Sequence, residues 1–219
     1  MSAPTAVRIA ANRHVRLDGD LALPPGARRI VCFAHGSGSS RRSPRNREVA
    51  ATLGAAGIAT LLMDLLTADE GRLDDRTGEL RFDIALLAGR LAGAVEWLAA
   101  EPATKDLAIG LFGASTGAAA ALVAAAERPS LVRAVVSRGG RPDLAGVAML
   151  AKVRAPTLLI VGGDDEVVVA LNRDALASLG ARPKELVVVP GATHLFEEPG
   201  KLEEVARLAS GWFRRHLAG

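Results

Sequence analysis

The chain has 219 residues, 49% hydrophobic and 23% charged, with a formal net charge of +3, a balance suited to one soluble α/β domain over residues 1–219 with a sizeable core. Aromatic residues make up 3% and tyrosine is absent, so base-stacking platforms are scarce and nucleic acid is not expected as a partner. No apolar run approaches the roughly 18 residues of a membrane span, the first 11 residues lack a leader pattern, and the single cysteine, Cys32, permits no internal disulfide; a cytoplasmic location with no membrane contact follows as the expectation.

In chain order, "HVRLDGDLALPPG" (14–26) alternates apolar and polar residues around Asp18-Gly19 and reads as a hairpin. Residues 29–34 then form a strand, with Cys32 as a small buried residue, 45–56 a helix and 59–65 a strand. A helix over 82–99 is followed by a strand over 108–112 and a helix over 117–127. Residues 134–137 form a strand and 144–152 a short helix. A strand over 157–161, a helix over 169–179, a strand over 185–189 and a helix over 202–217 close the chain. Such alternation implies an α/β fold: a mostly parallel sheet with helices on both faces, and antiparallel strands added at one edge by the hairpin. Neither linker nor repeat divides it.

Ligands of such sheets sit beyond the carboxyl ends of the strands. Four strand ends carry unusual chemistry: "HGSG", "GASTG", "GGDDE" and "GATH". Gly113-Ala114-Ser115-Thr116-Gly117 matches G-x-S-x-G, a turn that projects a serine above the sheet edge while glycines keep side chains out of the way. A helix N-terminus directly behind it favours negative charge there. A serine hydroxyl needs a base, and His194 follows the last strand by a short Pro/Gly loop. The base needs an acid, and Asp164 and Asp165 both follow "LLIVGG". The order serine, acid, histidine is that of the hydrolases rather than of the two protease arrangements. The histidines His14, His35, His194 and His216 show no metal-ligand spacing, so neither metal nor cofactor is expected.

With these residues the chain resembles the α/β-hydrolases, and within them the small, capless dienelactone hydrolase-like group. "FAHGSGSS", "GASTGAAAAL", "PTLLIVGGDDEVV" and "VVVPGATHLFEEPG" carry the likeness over essentially the whole chain. The group's G-x-x-D-x-x-V acid loop, laid on Gly162 to Val168, selects Asp165 rather than Asp164. Dienelactone hydrolases use a cysteine nucleophile, whereas Ser115 stands here, so the dienelactone itself is not implied as substrate. The oxyanion is expected to meet the backbone N–H groups of Thr116 and Ser37, with His35 shaping the loop that carries Ser37. The connection from Arg138 to Ala155 leaves no room for a lid domain.

Arg138 and Arg141 lie near an active-site strand end, either as salt-bridged loop residues or as anchors for a carboxylate or phosphate. Arg41, Arg42, Arg45 and Arg47 read as a solvated basic face. The leading expectation is a serine hydrolase cleaving a small carboxylic ester, thioester or lactone through an acyl-enzyme. A non-catalytic, partner-binding domain on the same fold stands as the alternative, since the group includes domains joined to phosphoribosyltransferases. A dinucleotide-binding oxidoreductase has little support from Gly110-x-x-Gly113 alone.

Overall fold

The structure is a computed structural model that describes residues 3–217. Eight strands form one sheet: β1 (Thr5–Ala10), β2 (Arg16–Ala22), β3 (Arg29–Ala34), β4 (Ala59–Met63), β5 (Ala108–Ala114), β6 (Val132–Arg138), β7 (Thr157–Gly162) and β8 (Lys184–Val189). Their spatial order is β1-β2-β4-β3-β5-β6-β7-β8. The β1–β2 and β2–β4 pairs are antiparallel, and every other pair is parallel. Central strands such as β7 are buried along their whole length because helices cover both faces, which is why they read as continuous apolar runs.

The helices are α1 (Pro44–Ala55), α2 (Ala68–Thr77), α3 (Ile84–Ala100), α4 (Thr116–Glu127), α5 (Val147–Leu150), α6 (Glu166–Ser178) and α7 (Lys201–His216). One apolar layer joins the sheet to α3, α4 and part of α6, and a second joins it to α1 and α7. On α7 the residues Leu202, Val205, Ala206, Ala209, Trp212 and Phe213 fall on one buried face, with glutamates in the first turn and arginines in the last to complement the helix dipole. Between β6 and β7 lie only a short 3-10 turn (Pro142–Ala145) and α5, and no cap covers the strand ends among the described residues.

Three expectations need correction. Asp18-Gly19 is no hairpin turn: both lie inside β2, opposite Arg8 and Val7. The turn is at Asn12, whose side-chain oxygen accepts the N–H groups of His14 and Val15. Gly19 is a close-approach residue, since a Cβ there would lie 2.8 Å from Ile9 Cδ1. The interval between β4 and the 82–99 helix also contains an extra helix, α2. A reciprocal capping box starts it: Glu70 N–H donates to Thr67 Oγ1 and Thr67 N–H to Glu70 Oε2. The short helix expected over 144–152 is confined to α5.

Candidate active site

Strand β5 ends at Ala114 and α4 begins at Thr116, leaving Ser115 alone to make the reversal. It does so at φ 51° and ψ −121°, a conformation an L-residue enters only when its surroundings enforce it. The flanking glycines show how. A Cβ on Gly113 would lie 2.4 Å from Ala118 Cα, and one on Gly117 would lie 2.4 Å from both Ala34 O and His35 O. The turn is thus squeezed between the end of β3 and the start of α4. Ser115 N–H donates to Arg138 O at 3.2 Å, and Arg141 N–H donates to Ser115 O at 3.1 Å. The last residue of β6 and the segment after it therefore hold the serine backbone from both sides.

The loop after β3 closes over this turn, and a Cβ on Gly36 would lie 3.1 Å from Ser115 Cβ. His35 locks that loop. Its Nε2 accepts the Leu65 N–H at 3.1 Å, so Nδ1 carries the proton and donates to Gly36 O at 2.9 Å. Burial pulls its pKa down and keeps the ring neutral. Among the described residues no acceptor takes up the backbone N–H of Ser37 or of Thr116.

Asp165 precedes α6 directly without a side-chain capping bond to it, and His194 lies in the loop after β8. His194 Nδ1 is 2.7 Å from Asp165 Oδ2. Asp164, by contrast, is exposed, and its backbone N–H donates to Ala192 O. Ser115, His194, Ser37, Asn46, Arg138 and Leu195 line one cavity of about 170 Å³. Across the Gly36–Ser43 segment, which lines both hollows, lies a groove of about 650 Å³ that reaches Thr116, Leu65 and α2.

Arg138 is only 5% exposed. Its Nη2 donates to Asn46 Oδ1 at a long 3.4 Å, its guanidinium stands 5.9 Å over the Phe196 ring, and no carboxylate among the described residues pairs with it. Burial, reinforced by the charge of Arg45, pulls its pKa down to about 10, still well within the charged range at neutral pH. Arg141 is different: its Nε and Nη2 donate to Asp143 at 2.9 and 2.7 Å, a salt-bridged loop residue. The arginine cluster is also largely paired, Arg41 with Asp64 and Asp20, Arg45 with Glu197, and Arg47 with Asp20. Cys32 is fully buried and its thiol is pushed up to about 12, which makes it inert.

Asn46 and Phe196 belong to this site although sequence reasoning passed over both. Asn46 is the third residue of a helix with a legible Ser43-Pro44 start, but no pattern shows that it faces the serine. Phe196 carries no local signal at all. Among the described residues no cluster of three His, Cys, Asp or Glu is placed to hold a metal ion, and no helix is long and apolar enough to cross a membrane.

The model of the dienelactone hydrolase family matches residues 18–216. A crystal structure of a dienelactone hydrolase from Anabaena variabilis is 59% identical, with a TM-score of 0.95, and the match covers 99% of this chain and 100% of that one. Est1E from Butyrivibrio proteoclasticus shares the fold, with a TM-score of 0.80 at 17% identity over all of both chains. A Mycobacterium tuberculosis protein that carries a provisional phosphoribosyl transferase name is 60% identical over 205 residues, which are 94% of this chain and 45% of that protein. The chain thus spans less than half the length of that relative. Its mostly parallel sheet, its uncapped strand ends and the match over nearly all of its length make the chain a member of the dienelactone hydrolase family, with the α/β-hydrolase fold.

Proposed function

We propose that the chain is a single-domain serine hydrolase that cleaves a small carboxylic ester, thioester or lactone through an acyl-enzyme. One observation carries the reading: a serine in an enforced elbow shares a cavity with a histidine whose far nitrogen is bound to a carboxylate. In this reading His194 Nε2 takes the Ser115 proton as Oγ attacks the carbonyl carbon, and Asp165 fixes the tautomer and stabilises the imidazolium. The carbonyl electron pair moves onto oxygen, where the free N–H groups of Ser37 and Thr116 receive it. Collapse expels the alkoxide or thiolate, which takes the proton from His194. Water then repeats the sequence on the acyl-enzyme.

Arg138 is proposed as the contact for an anionic group on the substrate. A buried cation without a counter-ion is costly, and a bound anion would supply the missing partner. A cytoplasmic setting agrees with the lone, fully buried thiol.

A second reading, a non-catalytic module serving an attached or separate partner, draws on the longer M. tuberculosis relative and its transferase name. Labelling by a fluorophosphonate probe separates the two. The hydrolase reading expects a covalent adduct on Ser115 and turnover of short p-nitrophenyl esters, both lost in Ser115→Ala while the protein stays folded. Adduct formation by Ser115→Ala would remove the nucleophile assignment, and an unlabelled, inactive wild type would favour the binding module.

A further inference from the structure

Among the described residues, two that are not glycine have positive φ: Ser115 at 51° and Phe196 at 58°. The first belongs to the elbow. The second lies two residues beyond His194, and for a bulky residue this conformation is a genuine outlier. Phe196 is 1% exposed and sits in the apolar layer beneath α1 and α7. Its N–H donates to Thr193 O at 3.3 Å, so His194 and Leu195 form the tip of a tight turn, which Phe196 leaves with a left-handed φ. The loop is clasped from outside as well, because Thr193 N–H and Oγ1 both donate to the Glu198 carboxylate.

Beneath that tip lies the turn after β6. A Cβ on Gly139 would lie 3.0 Å from His194 O, 3.5 Å from Phe196 Cε2 and 3.6 Å from His194 Cε1. The face of the Phe196 ring meets the Arg138 guanidinium. Arg138 and Arg141 are the residues whose backbones hold Ser115. The two halves of the catalytic pair therefore rest on one short block, the serine through hydrogen bonds and the histidine through the packed Phe196 ring.

We infer that Phe196 is a positioning residue: its strained backbone and its ring, packed near Arg138 and Gly139, hold His194 in the cavity it shares with Ser115. The inference rests on the serine hydrolase reading. Backbone strain of this kind persists only where the surroundings over-determine it, and it concentrates where geometry matters for function. Here the core ring and the Arg138 contact provide that constraint.

The test uses Phe196→Leu, which keeps an apolar side chain of similar reach but removes the ring face, and Phe196→Met, a more pliant apolar side chain that also lacks the ring. Active sites are titrated with the fluorophosphonate so that rates refer to functional sites only. Both variants are expected to lose kcat per titrated site by roughly a hundredfold, the scale of a displacement of about 1 Å in a catalytic group, with KM changed less than about threefold. The downfield proton resonance of the His194 Nδ1–H bound to Asp165 should broaden or vanish in both. A merely structural Phe196 would lower the titrated fraction and the thermal midpoint while leaving kcat per site and the resonance as in the wild type, and that result overturns the inference. If Phe196→Leu does not fold, Phe196→Met decides by the same two readouts. A wild type with neither labelling nor turnover refutes the hydrolase reading instead, and the resonance then still decides the positioning role.

Discussion

The Gly36–Ser43 segment lines two polar hollows whose most buried arginines are handled in opposite ways. On the groove side the buried or half-buried guanidinium groups have acids: Arg41 pairs with Asp64 and Asp20, and Arg81 with Asp74, whose side chain is only 5% exposed. On the cavity side Arg138 is as buried as Asp74 is, yet has only a long bond to an amide and the face of a ring. Neutralised pairs serve to fasten α2 and the loops around it. An unmatched buried charge does not repay its desolvation within the protein, so its partner is to be sought in what binds there. If Arg138 meets substrate as proposed, the comparison separates wall from contact surface, although both hollows look equally polar in composition.

Its sharpest check lies on the cavity side. Asp165→Asn should keep the fold but leave His194 in the wrong tautomer, with turnover reduced by about ten-thousandfold, whereas Asp164→Asn should cost far less. Comparable losses in the two variants, measured on one p-nitrophenyl ester, would remove the distinction between the neighbouring aspartates. The next largest effect concerns Arg138. Wild type should prefer a carboxylate-bearing ester over its neutral isostere by roughly tenfold to a hundredfold in kcat/KM, the scale of a charge-assisted contact of about 1.5–3 kcal/mol. Arg138→Ala should erase that preference and Arg138→Lys restore only part of it, because the charge returns without the planar fork. Equal discrimination in wild type and Arg138→Ala would show that the unmatched charge is not read by substrate.

The smallest effect is expected on the groove side. Thr67→Ala removes one arm of the α2 capping box and should lower stability by about 1 kcal/mol in urea unfolding, with the carboxylate preference unchanged. A shift in that preference would mean that the groove wall also reads the charge.

The alternation of elements, the buried parallel strands and the elbow were legible because each leaves a periodic or spaced trace in the chain. Spacing alone leaves Asp164 and Asp165 both open and resemblance selects Asp165, which lies 2.7 Å from His194 Nδ1. Helix α2 escaped because "ADEGRLDDRT" buries only Asp74 and so has no apolar face to read. Its capping box was the one available sign. The Asp18-Gly19 misreading has a physical cause too: a glycine chosen for close packing inside a strand looks, in sequence, like one chosen for a turn. The burial of Arg138 and the left-handed Phe196 depend on which distant residues come together, Asn46 from α1 and Gly139 from the β6 end, and no local pattern encodes that.

Helix α4, which begins at the elbow, is buried from Thr116 through Ala125, and six of those ten residues are alanine. Alanine has no rotamers, so this seat for the serine loses almost no side-chain entropy on folding and retains none to release afterwards. A helix of longer side chains would absorb a strained turn by letting them reorient. This one has little to reorient beyond Leu122 and Val123, so on the proposed acyl-enzyme reading the free and acylated protein would share the same floor beneath Ser115, and any adjustment to substrate would fall to the loops above it.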